Sequence, residues 1–252
     1  MMKSTTRNKL VSIGAIVLWL LIWQVMAFCI GEALFLPSPV AVFKRLLSLI
    51  VQLDFWASIF FSLERVALGL LLALLLALLC ASISYLSRIF EILLEPLVKI
   101  VRAIPVASIV ILVLVWVRSK NLSVVISFMI VFPIIYTSVL EGLKQTPKDM
   151  LEMADVYHID GLKRIRYIYI PYIIPYFEAS VKTALGLSWK SAVAAEVIGL
   201  PDGSIGERLY NAKVFFSTPD LFAWTVVIIV LAAIFEKALL FLVQKLFRRL
   251  ER

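Results

Sequence analysis

Histidine occurs once in this chain and cysteine twice, which removes most of the side chains that hold zinc or iron in proteins. No HExxH motif and no calcium-loop spacing occurs. Glycine is present nine times and is never followed by lysine, so the GxxxxGK[ST] loop that cradles nucleotide phosphates is missing as well. A chain with this inventory has no parts of its own for hydrolysing ATP, and little for metal catalysis. Charge is also scarce, 17% of residues against about a quarter in soluble domains. The two cysteines, Cys29 and Cys80, fall in apolar runs and read as buried thiols, with no disulfide or metal implied. There is no internal repeat, low-complexity tract or linker, so residues 1–252 read as one domain.

What fills the chain is apolar. Hydrophobic residues make up 62% of it and the mean hydropathy is +1.00, which excludes an ordinary soluble domain. A membrane span needs about 20 apolar residues, and six fit: 10–30, 65–85, 94–117, 122–143, 172–200 and 221–243. The expected fold is therefore all-α and integral to the membrane, with six transmembrane helices. The third span is interrupted by Lys99, Arg102 and Pro105. Residues 40–62, with Lys44 and Arg45, read as interfacial. The first span has a basic start and no small-residue cleavage site, so it reads as an anchor. With the N-terminus inside, lysine and arginine divide fourteen to seven in favour of the inner segments. That bias puts both termini and residues 144–170 in the cytosol of a bacterial-type cell. The net charge of +8 is then largely topological, and nucleic acid is not an expected partner.

Ionisable residues inside spans are costly, about 2.5–3.5 kcal/mol for a lysine at the membrane centre. The fifth span holds four, Glu178, Lys182, Lys190 and Glu196. Glu178 and Lys182 are spaced to pair along one helix face. Lys190, beside Trp189 and between Ser188 and Ser191, has no acid three or four residues away. Either it lines an aqueous path and favours an anion, or it pairs with an acid on another helix or protomer. Glu196 reads as a gate or a packing contact. In the third span, Arg102 precedes Pro105, which removes a backbone donor and loosens the helix. The kink is a gate or simply a tolerated bend.

Residues 144–170, KQTPKDMLEMADVYHIDGLKRIRYIYI, break the hydrophobic pattern. Thr146 is placed to cap a helix opened by Pro147, with Asp149 near its positive end. Met150, Ala154 and Tyr157 then share one face, and Asp149, Glu152 and Asp155 another. Asp160 is placed to cap a second short helix, in which Leu162, Ile165 and Tyr169 oppose Lys163, Arg164 and Arg166. Two short amphipathic helices between spans suit the docking of a soluble partner, or a loop lying on anionic lipid.

Glu152-Met-Ala154, followed by Ile170-Pro171, resembles the EAA loop of ABC-importer permeases. The likeness covers nearly the whole chain and is strongest to the nitrate, sulfonate and taurine type. Leu36-Pro-Ser-Pro39 resembles that family's LPSP element. Ser62-Leu-Glu-Arg65 with Gly69 resembles its SLxR…G, and Glu95-Pro96 its DP. Arg102-Ala-Ile-Pro105 resembles its RAIP, and Phe132-Pro133 its FP. Trp189, Ala195-Glu196 and the stretch from Gly199 to Gly206 resemble its W…AE…GLG region. The shared order and spacing are more specific than any single element. One position departs: where the family usually has glycine, six residues after the glutamate, this chain has His158. Gly161 is the candidate to supply the turn instead.

The resemblance implies a type I ABC-importer fold and a coupling helix at Glu152, Met153, Ala154, Asp155, His158 and Gly161, seated in a groove of an ATPase. Arg102, Pro105, Trp189, Lys190 and Glu196 are the candidate pathway or gate residues. The implied partners are two ABC ATPase subunits carrying ATP and magnesium, a second permease copy, an extracellular substrate-binding protein or lipoprotein, and membrane lipid. The chain itself carries no cofactor and catalyses nothing. The implied cargo is a small anion such as nitrate, a sulfonate, taurine or bicarbonate, with a thiamine- or riboflavin-related precursor as the alternative. A stand-alone secondary transporter needs ion sites and usually a repeat, and an intramembrane enzyme needs a convergent catalytic set. The sequence displays neither.

Overall fold

Apolar runs punctuated by proline and serine set most of the helix ends. The computed structural model describes the backbone of residues 2–250 and the side chains of residue 11 and residues 14–245. The terminal bases Lys3, Arg7, Lys9, Arg248, Arg249 and Arg252, part of the orientation argument, lie outside the described side chains. Helix α1 (Met2–Ile30) leads through Leu36-Pro-Ser-Pro39 into α2 (Pro39–Ile50). There Pro39 occupies the first helical position, and Ser38 Oγ accepts from the Ala41 amide at 3.2 Å. Trp23 donates its indole N–H to the Pro37 carbonyl at 3.1 Å, tying α1 to that turn.

Helix α3 (Leu53–Leu86) is 34 residues long and starts well before the expected residue 65. Residues 40–62 are thus two elements, α2 and the first turns of α3, and not one interfacial stretch. Leu53, Phe55, Trp56 and Ile59 extend the apolar pattern backwards. Arg65 does not end the helix because its guanidinium is satisfied, donating to the Phe61 carbonyl at 3.0 Å and the Lys120 carbonyl at 2.7 Å.

The expected third span is broken. Helix α4 (Arg88–Ala103) and helix α5 (Val106–Val113) meet at an angle of 107°. Proline has no N–H to continue α4 and its ring pushes the preceding residue out of the helical region. Ile104 is accordingly extended, at φ −75° and ψ 132°. A 3₁₀ turn (Ser119–Asn121) precedes α6 (Leu122–Lys144), which matches expectation to a residue and tolerates Pro133 within it. Helices α7 (Lys148–Val156) and α8 (Gly161–Arg164) follow. A π turn (Ile165–Tyr169) then joins α8 directly to α9 (Ile170–Gly199). Pro171 cannot donate to Tyr167, and the Ile170 amide reaches Ile165 instead, widening the helix there. The second amphipathic helix is therefore the foot of the fifth span and not a separate element. Helices α10 (Ile205–Val214) and α11 (Thr218–Leu250) complete the chain.

Helix α6 lies between α3 and α9 and makes the most extensive packing with both. Leu70, Ala73 and Ala77 of α3, Val131, Ile135 and Val139 of α6, and Val181, Ala184 and Leu185 of α9 form the central core. Small residues let the backbones approach, as membrane helix pairs require. Helix α3 comes close to α6 at Gly69, where a Cβ would lie 2.3 Å from the Val124 carbonyl oxygen. Among the described residues there is no strand. Three helices, spanning 53–86, 119–144 and 218–245, are long and apolar enough to cross a membrane, and the bent α4–α5 pair makes a fourth if it is one span. This is an all-α membrane fold. A count of six is consistent with it when α1, apolar over Gly14–Ile30, and the 30-residue α9 are added. Both cysteines are free, but Cys29 is exposed and Cys80 only half-buried. An apolar neighbourhood on a membrane helix need not be protein interior.

Gly69→Ala should lower the thermal stability of the purified protein by about 1–3 kcal/mol, because its methyl group meets backbone and not a movable side chain. Gly186→Ala in α9, where a Cβ meets nothing within 4 Å, should cost nothing. Equal melting temperatures for the two variants would show that the α3–α6 crossing is not set by this contact.

Candidate functional site

Glu196, near the end of α9, is fully buried. Its carboxylate accepts from Ser62 Oγ at 2.7 Å, from Ser123 Oγ at 2.9 Å and from the Gly206 amide at 3.2 Å. Ser62 in turn accepts from the Ile205 amide at 3.1 Å. One side chain thereby joins α3, α6, α9 and α10. The approach of α10 requires glycine at 206, where a Cβ would fall 2.3 Å from Glu196 Cβ. The loop between them turns on Leu200 and Gly203, both at positive φ, and Ser204 caps α10 by accepting from the Glu207 amide at 3.0 Å. Below this node a second rung joins the same three long helices. Ser127 contacts the Ser188 hydroxyl and donates to the Val66 carbonyl.

The elbow between α4 and α5 leaves a cavity of about 560 Å³ against α6 and α9. Arg102, Ile104 and Val106 line it from the elbow, Pro133, Thr137 and Ser138 from α6, and Ser180, Thr183 and Ser191 from α9. Of the five residues proposed from sequence as pathway or gate, Arg102 lines this space and Pro105 forms the elbow beside it. Trp189 is buried in a separate cluster against Phe235, with ring centroids 5.8 Å apart, and its indole N–H has no acceptor among the described residues. Glu196 occupies the polar node. Lys190 is exposed on the free face of α9, as is Lys182. The expected Glu178–Lys182 pair does not form among the ion pairs of the described residues. The helical spacing permits that pair, but Lys182 turns outward.

In the 144–170 segment, α7 begins at Lys148 with Pro147 in the cap position and no side-chain cap. Thr146, expected to cap, is instead buried with its hydroxyl unpaired, and Asp160 likewise makes no capping hydrogen bond. Of the three residues expected to share one face, only Ala154 is fully buried, while Met150 and Tyr157 are exposed. Glu152, Met153 and Val156 are exposed too. The helix ends in a Schellman turn. The Ile159 amide donates to the Ala154 carbonyl at 2.9 Å and the His158 amide to the Asp155 carbonyl at 3.1 Å. His158 carries the left-handed residue of that turn, at φ +48°. Gly161, expected to supply the bend, lies in the first turn of α8 and has no positive φ. Arg164 pairs with Asp155 at 2.5 Å, bracing α7 against the foot of α9. Glu91, in the first turn of α4 before the apolar stretch, pairs with Lys144 at 2.6 Å and Arg88 at 2.7 Å. The hydrogen bond from Lys144 holds its carboxyl below the usual carboxylate range.

A family model described as "Binding-protein-dependent transport system inner membrane component" matches residues 69–252. The chain belongs to this family. The putative aliphatic sulfonates transport permease of Bacillus subtilis is 25% identical over 230 residues, covering 90% of this chain and 83% of that protein. The nitrate import permease of Synechococcus elongatus is 29% identical over 207 residues, 77% and 73% of the two chains. The taurine transport system permease of Escherichia coli is 25% identical over 248 residues, 96% and 90%. In fold, the chain is similar to a solved amino acid ABC transporter chain, with a TM-score of 0.52 at 17% identity over 76% of this chain and 89% of that one. This protein is therefore an ABC-importer permease, a membrane subunit of an importer.

Sequence reasoning found Glu196 but missed Ser62, Ser123 and Gly206 as its partners, and missed the hydroxyls around the cavity. Serine in an apolar helix carries no mark of where it faces. The one available signal was that Ser62 and Gly206 belong to the motifs that resemble the permease family.

Glu196→Ala should reduce the yield of folded permease severely, by about 3–5 kcal/mol, since it strands two hydroxyls and an amide in the core. Glu196→Gln should be milder, because its carbonyl serves Ser62 and Gly206 while its amide donates to Ser123. A well-folded alanine variant would remove the node from its structural role. His158→Gly should stabilise the protein by about 1 kcal/mol in thermal melting, because glycine enters the left-handed region without the steric cost that a Cβ imposes. A loss of stability would show that the imidazole has a contact of its own.

Proposed function

We propose that this permease forms, with a second copy of itself, the membrane path of an ATP-driven importer for a small anion delivered by an extracellular binding protein. The energy comes from two ATPase subunits that bind ATP and magnesium. α7 is the coupling helix: Glu152, Met153, Asp155 and His158 meet the ATPase, the buried Ala154 seats the helix, His158 also turns the chain at its end, and Gly161 opens α8 behind that turn. Arg102 and Pro105 belong to the pathway. Trp189 and Glu196 position α9 along it, and Lys190 faces the second copy or the aqueous space between copies. Residues 1–252 act as one domain with both termini and the 144–170 segment in the cytosol of a bacterial cell, where membrane lipid surrounds the spans.

The observation that carries this reading is α7 itself. It combines exposed apolar side chains, Met153, Val156 and Tyr157, with acids at Glu152 and Asp155, outside the membrane-crossing helices. A turn at His158 and the Asp155–Arg164 pair fix it to α9. A surface loop that merely rested on anionic lipid would not present acids there. The second copy is supported by Lys182 and Lys190 on the exposed face of α9, since each costs about 2.5–3.5 kcal/mol if it faces lipid at the membrane centre. The anion is supported by the named cargoes of the similar permeases and by the absence of any acid from the cavity lining.

Glu152→Arg should leave membrane insertion and yield unchanged while sharply reducing co-purified ATPase and ATP hydrolysis stimulated by the loaded binding protein. Wild-type values for both would sink the coupling assignment.

A further inference from the structure

The elbow cavity has an uneven polar lining. Arg102 is its one charged side chain, and among the described residues it makes no ion pair or hydrogen bond. Of the five hydroxyls that line the same space, three are spent on their own helix. Thr137 donates to the Pro133 carbonyl at 2.8 Å, Ser180 to Phe177 at 2.9 Å and Thr183 to Ala179 at 3.2 Å. Ser138 and Ser191 have no acceptor among the described residues. The lining thus offers a fixed positive charge and two uncommitted O–H donors, with no carboxylate to compensate.

The position along the helices matters equally. The α6 residues at the cavity, from Met129 to Ser138, lie in the central and inner part of that 23-residue helix. The α9 residues, from Ala179 to Ser191, occupy the middle of its 30. An unpaired cation at that depth is expensive facing lipid. It is tolerable only beside water or a counter-ion.

We propose that this cavity is a binding station for a small anion within the membrane, with Arg102 supplying the charge and Ser138 and Ser191 the neutral donors. The proposal rests on the reading that this chain lines a translocation path. The volume decides what kind of station it is. At about 30 Å³ per water, 560 Å³ has room for roughly 18 waters, several times what an oxyanion of a few atoms needs. The anion is therefore held with part of its hydration, and the station selects by sign of charge more than by shape. Fine discrimination among anions is left to the binding protein.

The test uses the assembled importer in lipid nanodiscs, in a C29A/C80A background, with cysteine introduced by Ser138→Cys or, separately, Ser191→Cys. Modification rates are compared for two methanethiosulfonates of similar size, one bearing a sulfonate and one a trimethylammonium. Each is normalised to its rate with a free thiol, with and without ATP. The anionic reagent should react faster at both positions by on the order of 10-fold. That preference should persist in Arg102→Lys and fall to about one in Arg102→Gln. Equal rates, a preference for the cation, a preference indifferent to Arg102→Gln, or no modification at either position in either nucleotide state would overturn the station. ATPase stimulation measured on the same preparations separates the two readings. Intact stimulation without charge preference rejects the station and leaves the permease assignment standing, whereas lost co-purification of the ATPase with unmutated α7 rejects the assignment itself.

Discussion

The carboxylate of Glu196 is the point at which the long helices of this permease are held in one arrangement. Packing of alanine, valine and leucine between α3, α6 and α9 supplies attraction, but in a lipid environment such contacts slide at little cost, since lipid is as apolar as the side chains. Three hydrogen bonds to a buried carboxylate cannot slide. Each donor comes from a different element, so a shift of one helix turn in any of them leaves a charged group or an amide unpaired in the core. The motif glycines at 69 and 206 follow from this, because the helices must come close enough for the bonds to form. The serine rung at Ser127 and Ser188 repeats the arrangement one step deeper.

Proline sets the second constraint. Pro105 ends α4 and turns the chain by 107°, and the space opened at that corner is the elbow cavity. Pro171 converts the base of α9 into a π turn, and the chain stays helical from α8 into α9. The same residue type makes a corner in one place and is absorbed within a continuous helical run in the other. The difference is whether the neighbouring backbone can find another hydrogen-bond partner.

Much of this was legible in the sequence, and the failures have physical causes. The apolar run 122–143 coincides with α6 because Asn121 and Gln145 flank it and the helix does end there, whereas α9 stops at Leu200 before Pro201 but continues backwards through the π turn into α8, which its apolar run does not reveal. The early start of α3 was missed because Glu64 and Arg65 look like a boundary, when Arg65 is satisfied by carbonyls on both sides of it. Pro105 was visible, but local sequence does not state how far a loosened helix bends. At His158 the departure from glycine was plain and the left-handed conformation was not, since backbone φ is imposed by the Schellman turn and not by the histidine. Glu196 was identified, but its serine partners come from helices up to 134 residues away, a pairing that no local pattern encodes.

The uninterrupted run from α8 through the π turn into α9 has a mechanical consequence. One end, at Arg164, is tied to α7 by Asp155, and the other end is pinned at Glu196. At 1.5 Å per residue, Arg164 lies about 48 Å from that pin and Thr183 about 20 Å. By those lengths, a sideways displacement at Arg164 about the Glu196 pin reaches Thr183 reduced to about two-fifths where the run moves as one piece. The lengths alone therefore make the space beside Thr183, Ser180 and Arg102 the part of α9 that such a stroke moves less than the foot.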